Sequence, residues 1–301
     1  MLKRLLEQSG TSISIDEITQ MICVTEPYYQ LEDVTELEPG LLKCNVRPEQ
    51  EAFLEQGELS IAEAGRHLAI LGSIAAARQN PVKEKHYYLA VEADLQRLSC
   101  VQDLPPKPSL QCQGLAELVS FSKREAVVRG TMSYGPEALF SLEVRYKIIP
   151  FLMFRRIFKH FEKEEVLLRK TSPYQHLVSL EVDPVEGKKL HALLPEVKAE
   201  MCMGHFDQFP GLPIAIMGGT ANALAGRLFR SLLGQDSAPF AYFVRQMKGS
   251  APNLGFTGHS MDFTLEHVGV EGTLHEFKGI VKRDDGVLCG EMFLSLERAE
   301  A

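Results

Sequence analysis

Several things are missing from this 301-residue sequence, and each absence removes a class of protein. Six cysteines are present (Cys23, Cys44, Cys100, Cys112, Cys202 and Cys289), but there is no C-x-x-C pair and no His/Cys cluster at zinc-ligand spacing. Neither a disulfide framework nor a structural metal is therefore expected, and scattered thiols point to a reducing, cytoplasmic setting. No apolar run reaches the roughly 18 residues that a membrane span needs. The apolar stretch at 148–154 is short and runs straight into arginine. The opening segment MLKRLLEQSGTSIS has no apolar core or small-residue cleavage site, so a secretory signal is not expected. Positive charge is also scarce: 32 Lys and Arg against 40 Asp and Glu give a net charge of -8. That balance argues against a nucleic-acid backbone as partner. The one local basic run, Arg155, Arg156, Lys159 and His160, is expected to be a solvated or carrier-facing helix surface.

With 45% hydrophobic and 24% charged residues, the chain is long enough for two ordinary domains. It also contains an internal repeat. TEPYYQLEDVTELEPGLLKCNVRPE, from Thr25, lines up with TSPYQHLVSLEVDPVEGKKLHALLPE, from Thr171. Each copy has Pro-Tyr, an alternating strand, an acidic-Pro turn near a glycine, and a second alternating strand, the pattern of half-buried strands on a core. An Ala- and Gly-rich helix follows in each half, near 61–79 and 213–233, apolar nearly all round and hence buried. Alternating segments come next: 86–98, 110–121, 126–134 and 138–149 in the first half, and 240–247, 257–267, 273–282 and 287–296 in the second. Each half thus predicts an antiparallel sheet wrapped around one central helix, an α+β arrangement. The expected boundaries are 1–150, a connector helix at 151–170, and 171–301. Two such sheets would protect an exposed edge by pairing as an internal pseudo-dimer, with room for further homo-oligomerisation.

Two places could carry chemistry. In GHFDQFPGLPIAIMGGTANALAG, from Gly204, a histidine ends an extended stretch just before a buried helix whose first N–H groups have no helical partner. His205 titrates near neutrality and suits proton abstraction; packing in a turn is the bland alternative. Glu63 and His67, four residues apart, share one face of the first helix with Ile70, Ile74 and Ala77. A buried glutamate needs a partner or a task, and Arg66, His67 or a backbone group could supply the partner.

The order of elements, the entry IDEITQMI…EPYYQLEDVTELEPG and the His-Phe…Pro…Pro segment resemble 3-hydroxyacyl-acyl carrier protein dehydratases of the hot-dog superfamily, over roughly 15–149 and 172–297. The resemblance implies a double hot-dog fold and a site built from a histidine of one half and an acid on the central helix of the other. Pro210 and Pro213 fall at the motif's places after His205, and Glu63 with His67 matches the acid-then-Gln/His spacing. The chain departs from the pattern elsewhere. Gly219 stands where the second helix's acid would fall, with Asn222 the nearest polar residue; Ile214 follows Pro213 where glycine is usual, with Gly211 displaced; and the region of Glu49 to Glu51 holds no histidine. The losses are complementary, so one composite site is expected. Fused dehydratase domains of polyketide synthases are similar in keeping a single site, but with the histidine in the first half.

The resemblance thus implies dehydration of a 3-hydroxyacyl thioester to a trans-2-enoyl thioester in fatty-acid or polyketide metabolism, the substrate being linked to acyl carrier protein or coenzyme A, with no metal or cofactor. His205 would take the alpha proton, backbone N–H groups around Gly211 to Ile214 would hold the enolate, and Glu63, its pKa raised by apolar surroundings, would protonate the leaving hydroxyl with His67 in support. Ile70, Met217 and Leu224 are expected along the acyl tunnel. Two alternatives stand beside this: a hot-dog acyl thioesterase, which explains Glu63 but gives His205 no evident task, and a non-catalytic acyl-binding or assembly subunit.

Overall fold

A computed structural model describes residues 2–101, 104–107, 109–163, 172–234 and 240–299. The first half runs α1 (Leu2–Glu7), β1 (Thr11–Ser12), α2 (Ile15–Met21), β2 (Leu31–Glu38), β3 (Leu41–Val46), α3 (Ile61–Gln79), β4 (His86–Arg97), β5 (Cys112–Phe121), β6 (Glu125–Tyr134) and β7 (Glu137–Pro150). A short helix, α4 (Phe151–Ile157), follows. The second half runs β8 (Glu181–Val182), β9 (Lys189–Leu194), β10 (Gly211–Leu212), α5 (Ile214–Leu232), β11 (Tyr242–Ser250), β12 (Gly255–Phe256), β13 (Met261–Glu271), β14 (Leu274–Arg283) and β15 (Leu288–Arg298).

Thirteen strands form one continuous sheet in the order β1-β2-β3-β5-β6-β7-β4-β11-β15-β14-β13-β9-β8. The halves meet where β4 pairs antiparallel with β11, Leu95 opposite Met247. Each half curls around its own helix, giving the double hot-dog expected. The alternation read in the sequence is what makes this possible: Met261, Phe263 and Leu265 of β13 are all buried while the residues between them are only half covered. One hairpin departs from the repeat. β2 has eight residues but its counterpart β8 has two, because Asp183-Pro184 follows at once and proline can donate no ladder hydrogen bond.

The central helices start differently. The Ser60 side chain caps α3 by accepting from the Glu63 N–H, whereas α5 begins at Pro213, which offers no side-chain cap. Both helices are 19 residues long and open Ile-Ala with glycine at the fifth position, Gly65 and Gly218. A Cβ on Gly65 would meet Leu95, and one on Gly218 would meet Met247. Since Leu95 and Met247 face each other across the central strand pair, the helices are related by an approximate two-fold axis that matches Ile61 with Ile214, Arg66 with Gly219 and Ala69 with Asn222.

The expected connector helix at 151–170 is helical only as α4, which continues into a 3-10 turn at Lys159–Phe161; positions 164–170 lie outside the described residues. Phe154 anchors it, fully buried and stacked 3.7 Å from Tyr87, with Phe206 and Phe209 of the second half packed edge-on around the pair. Among the described residues no helix is long and apolar enough to cross a membrane.

Candidate functional site

A cavity of about 520 Å³ lies between the halves, a size suited to a small or medium organic ligand. Its wall takes Ala62, Gly65, Arg66, Ala69 and Ile70 from α3, Ile214, Ala215 and Met217 from the start of α5, and the inner ends of β4 and β11. His205 is on this wall. Glu63, His67, Gly211 and Leu224 are not among the described residues that line it.

The chain holds His205 by a strained turn. Gly204 has φ +75° and a Cβ there would sit 2.3 Å from the Thr25 carbonyl, so only glycine allows the approach. Phe206 is also left-handed, at φ 61°, a conformation costing about 1–3 kcal/mol that the surroundings must impose. They do so through backbone bonds to the first half: Thr25 N–H donates to the Gly204 carbonyl at 2.8 Å and Phe206 N–H to the Cys23 carbonyl at 3.2 Å. The His205 ring lies 3.9 Å from Phe206 in a stack and meets Tyr28 edge-on at 5.0 Å. Its Nδ1 donates to the Gly211 carbonyl at 2.9 Å. A carbonyl can only accept, so the neutral ring carries its proton on Nδ1 and Nε2 is left as an acceptor, with no hydrogen-bond partner among the described residues. Burial pushes the imidazole down to about 4, the Gly211 hydrogen bond opposing and the Arg66 charge assisting, so the ring is neutral at physiological pH.

Arg66 is another polar group of the cavity wall, which the sequence offered only as a partner for Glu63. Its side chain is fully buried, donating to the carbonyls of Pro27 and Tyr28 and to Glu49 at 2.8 Å, with its guanidinium 4.7 Å from the rings of both Tyr28 and Tyr174. It therefore locks the Tyr28 turn against His205. By the two-fold relation, Arg66 rather than Glu63 occupies the helix position matched by Gly219. Aligning the two helices from their shared Ile-Ala start would have shown this.

Glu63 serves a different neighbourhood. Its Oε1 accepts from the N–H groups of Glu49 and Gln50 at 2.6 and 2.9 Å, and Lys107 Nζ stands 3.9 Å from Oε2. His67 Nε2 is 3.8 Å away, too far for a hydrogen bond. Burial alone would raise the Glu63 pKa, but His67, Lys107 and the Gln50 N–H outweigh it and hold it below the ordinary carboxylate value. Burial likewise lowers His67. Glu63 is held below, not above, the ordinary carboxylate value, which corrects the expectation of a raised, proton-donating group. Gly211 is placed differently too: it pairs with Phe256 in the β10–β12 ribbon and contributes the carbonyl that orients His205 rather than an oxyanion donor. Ile214 remains a donor, because no hydrogen bond reaches its N–H or that of Ala215 among the described residues, while the next two, of Ile216 and Met217, both bond to the Pro213 carbonyl. Of the expected tunnel residues, Ile70 and Met217 line the cavity; Leu224 is buried elsewhere in the core.

The site related by the two-fold axis is filled. At the start of α3, Glu55 accepts from the Ile61 N–H at 2.9 Å, from Asn222 Nδ2 at 2.7 Å and from Arg97. Burial raises the Glu55 pKa and these three partners oppose it. Carrying the axis through Leu95 and Met247 matches Arg97 with Gly249 and Asn222 with Ala69. Gly249 and Ala69 both line the open cavity, so one site is hollow because it has a glycine and an alanine where the other has an arginine and an asparagine.

No protein-family model and no curated protein matches the chain. Solved structures do. The tesB protein of Mycobacterium avium subspecies paratuberculosis superposes with a TM-score of 0.57 at 7% identity, covering 89% of this chain and 96% of its own. The acyl-CoA thioesterase II TesB2 of Mycobacterium marinum gives 0.52 at 10% identity over 96% of this chain and 99% of its own. A hot-dog-fold protein of Alicyclobacillus acidocaldarius gives 0.53 at 11% identity over 92% and 100%. Thioesterase names recur among the other similar structures, which overturns the dehydratase reading suggested by the His-Phe…Pro…Pro segment; the acid that reading required, Glu63, also lies off the cavity that His205 lines. At these identities the likeness shows the fold, and this chain has the double hot-dog fold over nearly its whole length.

Proposed function

We propose that the chain hydrolyses acyl thioesters, with the acyl group in the cavity between the halves and the thioester carbonyl at the start of α5. The observation that carries this is the presence, on the wall of one cavity, of a buried histidine and two helix-start N–H groups without hydrogen-bond partners among the described residues. His205 Nε2 would take a proton from water as the water oxygen bonds to the carbonyl carbon. The N–H groups of Ile214 and Ala215 would receive the developing oxyanion, an interaction worth about 3–4 kcal/mol in comparable sites. Collapse breaks the carbon–sulfur bond, and the departing thiolate takes the proton from His205, leaving a free acid and a thiol. The names of the similar structures support the same reaction. The carrier, coenzyme A or acyl carrier protein, would approach past His160, which lines the cavity and ends the basic run Arg155, Arg156 and Lys159.

A second reading, acyl binding without turnover, is favoured by one observation. The only carboxylate among the described wall residues is Glu92, which is paired with Arg145, so no acid assists His205. Incubation with saturated acyl-coenzyme A and acyl-carrier thioesters separates the two. Hydrolysis releases free thiol, and His205→Ala should lower the rate by about 100-fold or more. Absence of thiol release across chain lengths would leave the binding reading in place, and full activity in His205→Ala would remove the histidine from the mechanism.

A further inference from the structure

The short helix α4 carries a surface that the fold leaves uncovered. Leu152 and Met153 are 72% and 56% exposed, the highest values among the large apolar side chains described, and Ile157 is exposed as well. Phe154 takes the opposite side, buried against Tyr87 and Phe209. At 3.6 residues per turn, Leu152 lies one turn from Arg156 and Met153 one turn from Ile157, so apolar and cationic side chains interleave on the outward face. Arg155 is paired with Glu162 at 2.8 Å, whereas Arg156 and Lys159 have no ion-pair partner among the described residues. Backbone hydrogen bonds bring further cations beside α4. The Ile148 N–H donates to the Arg124 carbonyl at 2.7 Å and the Phe151 N–H to the Lys85 carbonyl at 3.1 Å. Lys123 and Arg124 are exposed there, and with Lys85 they outnumber the neighbouring acids Glu84 and Glu125. This end of the sheet is basic in a chain whose net charge is -8.

We propose that α4 docks the protein on an anionic lipid bilayer, with Leu152, Met153 and Ile157 entering the acyl layer and Arg156 and Lys159 against the headgroups. Projecting apolar side chains with cations between them are what an interfacial helix presents to a membrane. A folded protein partner needs a pocket shaped for each projecting side chain, whereas a fluid bilayer accepts them as they stand. The position of the helix favours lipid too. Ile157, Phe158 and Phe161 line the cavity wall, so Ile157 belongs both to the exposed apolar surface and to the cavity. An acyl chain leaving the bilayer at α4 reaches the cavity along that surface without crossing water. The docking itself is independent of turnover, and rests on the thioesterase reading only in naming an acyl thioester as what is drawn from the membrane.

The test is co-sedimentation of the whole protein with vesicles of phosphatidylcholine alone and of phosphatidylcholine mixed with phosphatidylglycerol. Association is expected with the mixed vesicles only, and added sodium chloride should weaken it. Arg156→Glu with Lys159→Glu, and separately Leu152→Ser with Met153→Ser, should each lower the partition coefficient by about tenfold or more. The melting temperature should not change, since all four side chains are exposed. No association with the mixed vesicles, or equal association with both kinds, overturns the proposal without needing a variant. So does undiminished binding by either double variant. Capture of an acidic acyl carrier protein by the native chain, without vesicle binding, gives the surface to a protein partner and overturns it as well. Thiol release assayed on the same preparation keeps the two readings apart: vesicle binding without hydrolysis overturns the thioesterase reading alone, and hydrolysis without vesicle binding overturns this inference alone.

Discussion

His205 and Arg66 show how two single residues set the character of the cavity. Because Arg66 spends its donors on Pro27, Tyr28 and Glu49, it acts as a clamp as well as a charge. Removing one partner of a buried, hydrogen-bonded charge leaves the others uncompensated, so Arg66→Ala is expected to cost about 3–5 kcal/mol in urea unfolding. His205 predicts a pH dependence. Its folded value is near 4 against 6.5 for an ordinary histidine, so above pH 6.5 the ring is neutral in both folded and unfolded chains and contributes nothing to the slope. As pH falls through that window, the unfolded chain takes up a proton that the folded site refuses, and stability declines. The full effect is on the order of 3 kcal/mol at 1.36 kcal/mol for each unit. Unfolding free energy measured from pH 7 to 4 should fall in the native protein and fall less in His205→Ala; identical slopes would show that the ring is not held neutral.

At the scale of elements, the glycines of the central helices do different work. A Cβ on Gly226 would lie 2.2 Å from the Tyr242 ring, which cannot swing away because its hydroxyl bonds to Asn222. A Cβ on Gly65 meets only the end of the Leu95 side chain, which can change rotamer. Gly226→Ala should therefore destabilise by about 1–3 kcal/mol, whereas Gly65→Ala should be close to neutral, its overlap offset by the better helix propensity of alanine. Differential scanning of the two variants checks the contrast. Helix register also explains where sequence reading of the site went astray. Glu63 has the spacing of an acid motif with His67, but on this backbone the α3 residues that line the cavity are Ala62, Gly65, Arg66, Ala69, Ile70 and Ser73. Spacing of four places two residues on one face without saying which face meets the ligand.

For the whole molecule, the central pairing of β4 with β11 makes the two halves one sheet. Either half alone would present that strand as an open edge with Leu95 or Met247 uncovered, and such edges recruit other strands. Residues 1–163 expressed alone are expected to self-associate, measurable by light scattering, and a soluble monomeric first half would show that the edge is already protected. The fusion also permits the asymmetry on which the site depends. In a symmetric dimer, Gly249 could not differ from Arg97 or Ala69 from Asn222, and both cavities would be open or both filled.

The sequence alone determined the elements and their order. Strand alternation, the Ala- and Gly-rich helices and the repeat from Thr25 and Thr171 gave two wrapped helices, because periodicity of burial is a local property that each segment carries in its own residues. His205 was legible for the same reason, since glycine, proline and an extended stretch lie beside it in the chain. Which helix side chains face it was decided only by the tertiary structure. That depends on how α3 is rotated against α5, a rotation fixed by the packing of Gly65 on Leu95 and Gly218 on Met247 across a strand pair more than 150 residues apart in sequence.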